Sequence, residues 1–137
     1  MLMFVALVVT GCTKDDGLKP DCDINAGPCI KSPSEGLTLE LMVTPRPVRA
    51  MRELEFEVKV SGGPEPAGDG AVVLDFTMPG MYMGVNRYEL KPEGEGVYRA
   101  EGVLPRCPRG GRLWRAEVIL PRGGRDTVRA DFLFEVD

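Results

Sequence analysis

Met78, Met81 and Met83 fall within the stretch DFTMPGMYMGVN, around the pair Pro79-Gly80, and Cys107 stands in PRCPRGG. Thioether and thiolate sulfurs are soft donors, and a set of them suits Cu(I) with no imidazole present. The chain has no histidine. That removes imidazole sites for Cu(II) or zinc and most general acid–base schemes. A Cu(I) site drawn from Met78, Met81 and Met83, with Met51 and Cys107 as further donors, is therefore one expectation. The other is structural: methionine fills irregular core gaps, and Met78 continues the inward phase of Val72, Leu74 and Phe76. On that reading Met81 and Met83 flank an apolar patch that meets a partner.

Other chemistries find less support. Apart from Cys107 there is no nucleophile placed with a base, no paired-carboxylate motif and no Cys-x-x-Cys, so the chain reads as a non-enzyme. Asp75 and Glu101 lie on strands and are expected to face solvent. A net charge of −4 offers no broad basic surface, which argues against nucleic acid as a partner.

The elements that must position the sulfurs are strands. With 137 residues, the chain suits one compact domain. From Leu37 onward the apolar period is two: Leu37, Leu39, Leu41, Val43; then Leu54, Phe56, Val58, Val60; then Val72, Leu74, Phe76. Tyr88 and Leu90 mark a short fourth run. Tyr98, Ala100 and Leu104 sit on a fifth, with Gly102 at a bulge. Trp114, Ala116, Val118 and Leu120 make a sixth, and Val128, Ala130, Phe132, Phe134 and Val136 a seventh. Proline- and glycine-rich turns separate them. This predicts an all-β, immunoglobulin-like antiparallel sandwich of about seven strands. If successive strands alternate direction, the first, third and fifth loops share one end. Met51, Met78, Met81, Met83 and Cys107 then gather at a single pole.

The N-terminal run MLMFVALVVTGC is apolar and ends in Val9-Thr10-Gly11-Cys12. It resembles a bacterial lipoprotein signal with its lipobox, although it lacks a positively charged n-region. The resemblance implies a signal peptide over 1–11, lipidation of Cys12 and a membrane anchor of acyl chains. Thr13 rather than Asp after the lipidated cysteine favours the outer membrane, as a periplasmic-side lipoprotein. Residues 12–36 are rich in Asp, Lys, Gly, Pro and Ser and read as a tether, leaving 37–137 as the folded domain.

Three cysteines remain: Cys22, Cys29 and Cys107. Outside the cytoplasm a disulfide is expected, with one thiol left over. A Cys22–Cys29 bridge closes the short DINAGP loop and is favoured on closure entropy. A Cys29–Cys107 bridge would instead pin the tether to the sulfur-bearing pole and remove Cys107 from any metal site. A free Cys107 has two readings: a thiolate stabilised by Arg106 and Arg109, or a half-buried loop thiol with no role.

Together, the lipobox, CDINAGPC, MPGMYMG, GVYRAEGVL, RCPRGGRLW and FLFEV resemble the YtkA-like domain, a family related to the extracytoplasmic domain of FixH. The resemblance spans roughly 37–137 and is strongest over 76–119, where Met78, Pro79, Met81, Met83, Gly96, Tyr98 and Trp114 match in order. It implies an immunoglobulin-like sandwich outside the cytoplasm linked to copper handling or cytochrome oxidase assembly, with an envelope protein or a copper donor or acceptor as partner. Copper-site roles pass to Met78, Met81 and Met83. Many relatives carry histidines that this chain lacks.

Overall fold

A computed structural model describes residues 17–62, 71–122 and 125–137. Cys12 and the lipobox lie outside the described residues. Eight strands follow in order: β1 (Cys29–Ser34), β2 (Leu37–Thr44), β3 (Leu54–Ser61), β4 (Val72–Thr77), β5 (Arg87–Gly94), β6 (Val97–Gly102), β7 (Leu113–Arg122) and β8 (Arg125–Glu135). Every pairing is antiparallel. Spatial order is β1-β2-β3-β6-β5-β4-β7-β8.

The strands form where alternation is cleanest. In β2, Leu37, Leu39, Leu41 and Val43 are buried while Thr38, Glu40, Met42 and Thr44 are half-exposed. A period of two puts every second side chain on the core face, so burying those faces drives two sheets together. β5 is the corner between them. Its first half, Arg87–Leu90, pairs with β4, and from Lys91 onward it pairs with β6. One sheet is thus β1-β2-β3-β6 with the end of β5. The other is the start of β5 with β4-β7-β8. The crossings β3 to β6 and β4 to β7 are those of an immunoglobulin-like sandwich.

Aromatic rings join the two layers. Phe56 of β3 stands 4.7 Å, centroid to centroid, from Phe76 of β4, and Phe76 meets Phe134 of β8 edge-on at 6.4 Å. Trp114 and Phe132 are as fully buried as these rings. Tyr88 lies 5.0 Å from Phe56, and its hydroxyl donates to the Val103 carbonyl at 3.0 Å.

Two local expectations are revised. The β3–β6 register is regular through Leu54↔Gly102, so Gly102 marks no bulge. A Cβ there would fall 2.3 Å from the Tyr88 ring, and the glycine is needed for that close approach. Secondly, the segment expected to be irregular supplies the eighth strand: β1 pairs with β2 through Cys29↔Leu41, and Ile24 is buried in the core.

The Cys22–Cys29 disulfide is present, and it holds the start of β1 against β8. Asp21, next to Cys22, donates its N–H to the Leu133 carbonyl at 2.7 Å and accepts the Leu133 N–H on its carboxylate at 2.9 Å. One residue thereby satisfies an edge position of β8, where an open edge would invite pairing with other chains. Lys31 of β1 pairs with the Asp21 carboxylate at 2.8 Å and donates to the Asp131 carbonyl.

Removing the bridge as Cys22→Ala/Cys29→Ala should cost about 2 kcal/mol, the loop-closure value for so short a ring, read from urea midpoints. Amide exchange at Leu133 should rise with it; an unchanged midpoint and unchanged exchange would show that the clasp contributes nothing. Burial opposes ionisation of Asp21, but Lys31, the Leu133 N–H and Arg115 outweigh it and set the carboxyl below its ordinary 3.8. A depressed carboxyl stabilises the fold above its unfolded value, and that contribution is lost as pH falls below about 4. Asp21→Asn should therefore lack an acid-side loss of stability that the native chain shows in pH-dependent unfolding.

Candidate functional site

The sulfur-bearing pole is built by three loops. Pro79-Gly80 forms a tight turn in which Met81 N–H donates to the Met78 carbonyl at 3.2 Å, and Gly80 takes φ +75°. Proline followed by a glycine at positive φ is the sequence requirement of a type II turn. The turn pairs Met78 with Met81 as antiparallel bridge partners, so both side chains leave on one face. Beyond it burial alternates: Met81 and Met83 are half-buried, while Tyr82 is 85% exposed.

The β6–β7 connection supplies the second wall. Gly110 N–H donates to the Cys107 carbonyl at 3.0 Å, closing a Cys-Pro-Arg-Gly turn. The following Arg112 carbonyl accepts the Val136 N–H at 2.8 Å, and the Arg112 guanidinium pairs with Asp137. The β2–β3 connection is tied on by Ala50 N–H to the Asp137 carbonyl at 2.7 Å and Met51 N–H to the Leu104 carbonyl at 2.8 Å. The three loops therefore meet as strand alternation requires.

Within this frame Cys107 Sγ lies 3.5 Å from Met81 Sδ. A Cβ placed on Gly111 would lie 3.3 Å from that same Sγ and 3.2 Å from the Met78 methyl. Met81 and Cys107 thus touch from two loops, and the Met78 methyl borders the same gap at Gly111. Met78 is buried, as its inward phase requires, and its terminal methyl borders the empty Cβ position of Gly111. Cys107 is free and 6% exposed. Its pairing with Cys29 is ruled out by the Cys22–Cys29 bridge.

The remaining sulfur residues are placed differently. Met83 packs against the core, and its carbonyl accepts the Asn86 side-chain amide at 3.0 Å. Met51 takes a left-handed backbone at φ +63° and is 63% exposed. Arg106 and Arg109 are exposed on either side of the buried Cys107. Asp75 reaches Arg87 at 3.7 Å, an outward-facing ion pair on strands.

A depression of about 300 Å³ opens beside the cluster, lined in part by Ala50, Pro105, Cys107, Gly111, Trp114 and Val136. Larger ones include one of about 390 Å³ beside Asp21, Cys22 and Arg112 and two of about 520 and 560 Å³ on the outer sheet face around Glu55 and Glu101. In the last of them Arg99 is already paired with Glu55 and Glu57. Among the described residues no group of three His, Cys, Asp or Glu is placed to hold a metal. The residue that sequence reasoning overlooked is Gly111. Its signal was present: the Cys107 turn uses only Gly110, so the second glycine of Gly110-Gly111 needed another reason.

Comparison of the chain with protein-family models, curated proteins and solved structures finds no match.

Burial makes Cys107 testable directly. In the native protein its thiol should react with a bulky aromatic disulfide at least tenfold more slowly than after unfolding, since the buried sulfur must first be reached. Equal rates in the two states would place the thiol at the surface instead.

Proposed function

We propose that this chain is a lipid-anchored extracytoplasmic binding module that holds Cu(I) at its sulfur-bearing pole. The observation that carries this reading is the 3.5 Å contact between Cys107 Sγ and Met81 Sδ, across 26 positions of sequence. One thiolate neutralises a monovalent ion, and thioethers complete a soft shell without adding charge. Met78 and Met81 are the thioether donors, with Met83 next along the same loop. When bound there, Cu(I) is cargo to be held or passed on. The lipobox supports a membrane anchor at Cys12 and residence at the periplasmic side of the envelope, the outer membrane favoured. The motif likeness to the YtkA-like domain supports copper handling, with a copper donor or acceptor as partner.

The test is a Cu(I) titration of the domain under reducing conditions against a competing chelator. One equivalent should bind tightly. Cys107→Ser and Met81→Ala/Met83→Ala should each weaken binding at least tenfold, by analogy with the loss caused by removing even an outer-shell partner of a metal site. Undiminished uptake by both variants would overturn the assignment.

A second reading has its own observation. Tyr82 and Val85, on the same loop, are 85% and 83% exposed, an apolar corner suited to meeting another envelope protein with no metal involved. Crosslinking in the envelope should then recover a partner whose yield falls with Tyr82→Ser/Val85→Ser and is indifferent to Cys107→Ser.

A further inference from the structure

Gly111 has no turn to make, since the Cys107–Gly110 hydrogen bond already closes that turn, and its φ is not in the left-handed region. What it lacks is a side chain, at a position bordered by the Met78 methyl from one loop and the Cys107 sulfur from another. An added Cβ would stand 3.2 Å from the methyl and 3.3 Å from the sulfur, closer than ordinary van der Waals contact. The segment cannot simply slide away. Its next residue is held by the Val136 N–H on the Arg112 carbonyl and by the Arg112–Asp137 ion pair.

We infer that Gly111 is a positioning residue that sets the number of sulfur donors at this pole. By leaving its Cβ position empty it lets Met78 reach in beside Cys107. When the ion binds, the flexible Met78 end that borders this gap would turn its sulfur inward and extend the Met81–Cys107 pair to one thiol and two thioethers. This rests on the Cu(I) reading above and extends it. A two-sulfur pair would hold Cu(I) in a linear arrangement and release it readily to any thiol-rich acceptor. A third, neutral donor retains the ion without changing the charge of the site, and three soft donors leave no place for the oxygen ligands a hard divalent ion requires. Any side chain at 111 displaces the Met78 terminus first. That terminus is the flexible end of an unbranched side chain, whereas Cys107 is fixed by its turn.

The experiment uses the native domain, Gly111→Val, the milder Gly111→Ala, Met78→Leu and the double variant Gly111→Val/Met78→Leu. Each is first checked for native folding by its thermal midpoint. Methionine methyl groups carry a carbon-13 label, and Cu(I) is added under reducing conditions. In the native domain the Met78 and Met81 methyl resonances should both move. In Gly111→Val only Met81 should move, with affinity lowered about tenfold; Met78→Leu should lose the same factor, and the double variant no more than either. Gly111→Ala should fall between native and Gly111→Val. A metal-free readout accompanies this: the Met78 methyl shift should differ between the native domain and Gly111→Val before any copper is added. Absence of Cu(I) binding by the native domain would overturn the copper reading itself. Binding in which Met78 stays still, or losses that multiply in the double variant, would leave that reading standing and overturn the role of Gly111.

Discussion

The pairing of β4 with β7 is the constraint on which the rest of the sulfur pole depends. Thr77↔Arg115 is the last pair in that register, one residue before Met78 on one strand and two after Leu113 begins the other. The Pro79-Gly80 turn leaves from one strand end, and the Cys107–Gly111 segment arrives at the other. A one-residue slip of β4 would turn Leu74 and Phe76 outward and reverse the face on which Met78 emerges. The burial of Phe76 between Phe56 and Phe134 fixes the register. The same apolar packing that stabilises the sandwich therefore determines where the sulfurs stand. The short sulfur–sulfur distance is a consequence of the core.

Preorganisation at that pole comes from backbone hydrogen bonds more than from charges. The Met78–Met81 turn, the Cys107–Gly110 turn and the links from Ala50, Met51 and Val136 are all amide-to-carbonyl bonds. Most ion pairs lie on exposed strand faces, as with Arg129–Glu117 and Arg115–Asp131, where solvent weakens them. The exception in kind is the clasp that joins β1 to β8. There the disulfide, Asp21 and Lys31 act together, and a carboxylate takes the place of a neighbouring strand beside Leu133.

Much of this was legible from residue pattern. Alternation over Leu37–Val43 and Leu54–Val60 predicts β2 and β3 because half-buried strands have no other way to satisfy a period of two. The shared pole followed from counting antiparallel strands, and the favoured disulfide from loop length. The hidden parts were those set by tertiary contact. β1, with the sequence CIKSPS, has a single buried residue and no period to detect. The purpose of Gly102 depends on the Tyr88 ring, and that of Gly111 on two side chains from different loops. The relative standing of the sulfurs was also beyond the pattern: Met51, Met81 and Met83 share a residue type, yet only Met81 is seen touching Cys107.

Copper K-edge X-ray absorption on the Cu(I)-loaded protein tests the central assignment most directly, since it reads the donor atoms themselves. The account predicts a first shell of three sulfur scatterers with no nitrogen or oxygen, reduced by one sulfur in Met81→Ala. A shell dominated by light atoms, or a sulfur count indifferent to residues 78, 81 and 107, would contradict it.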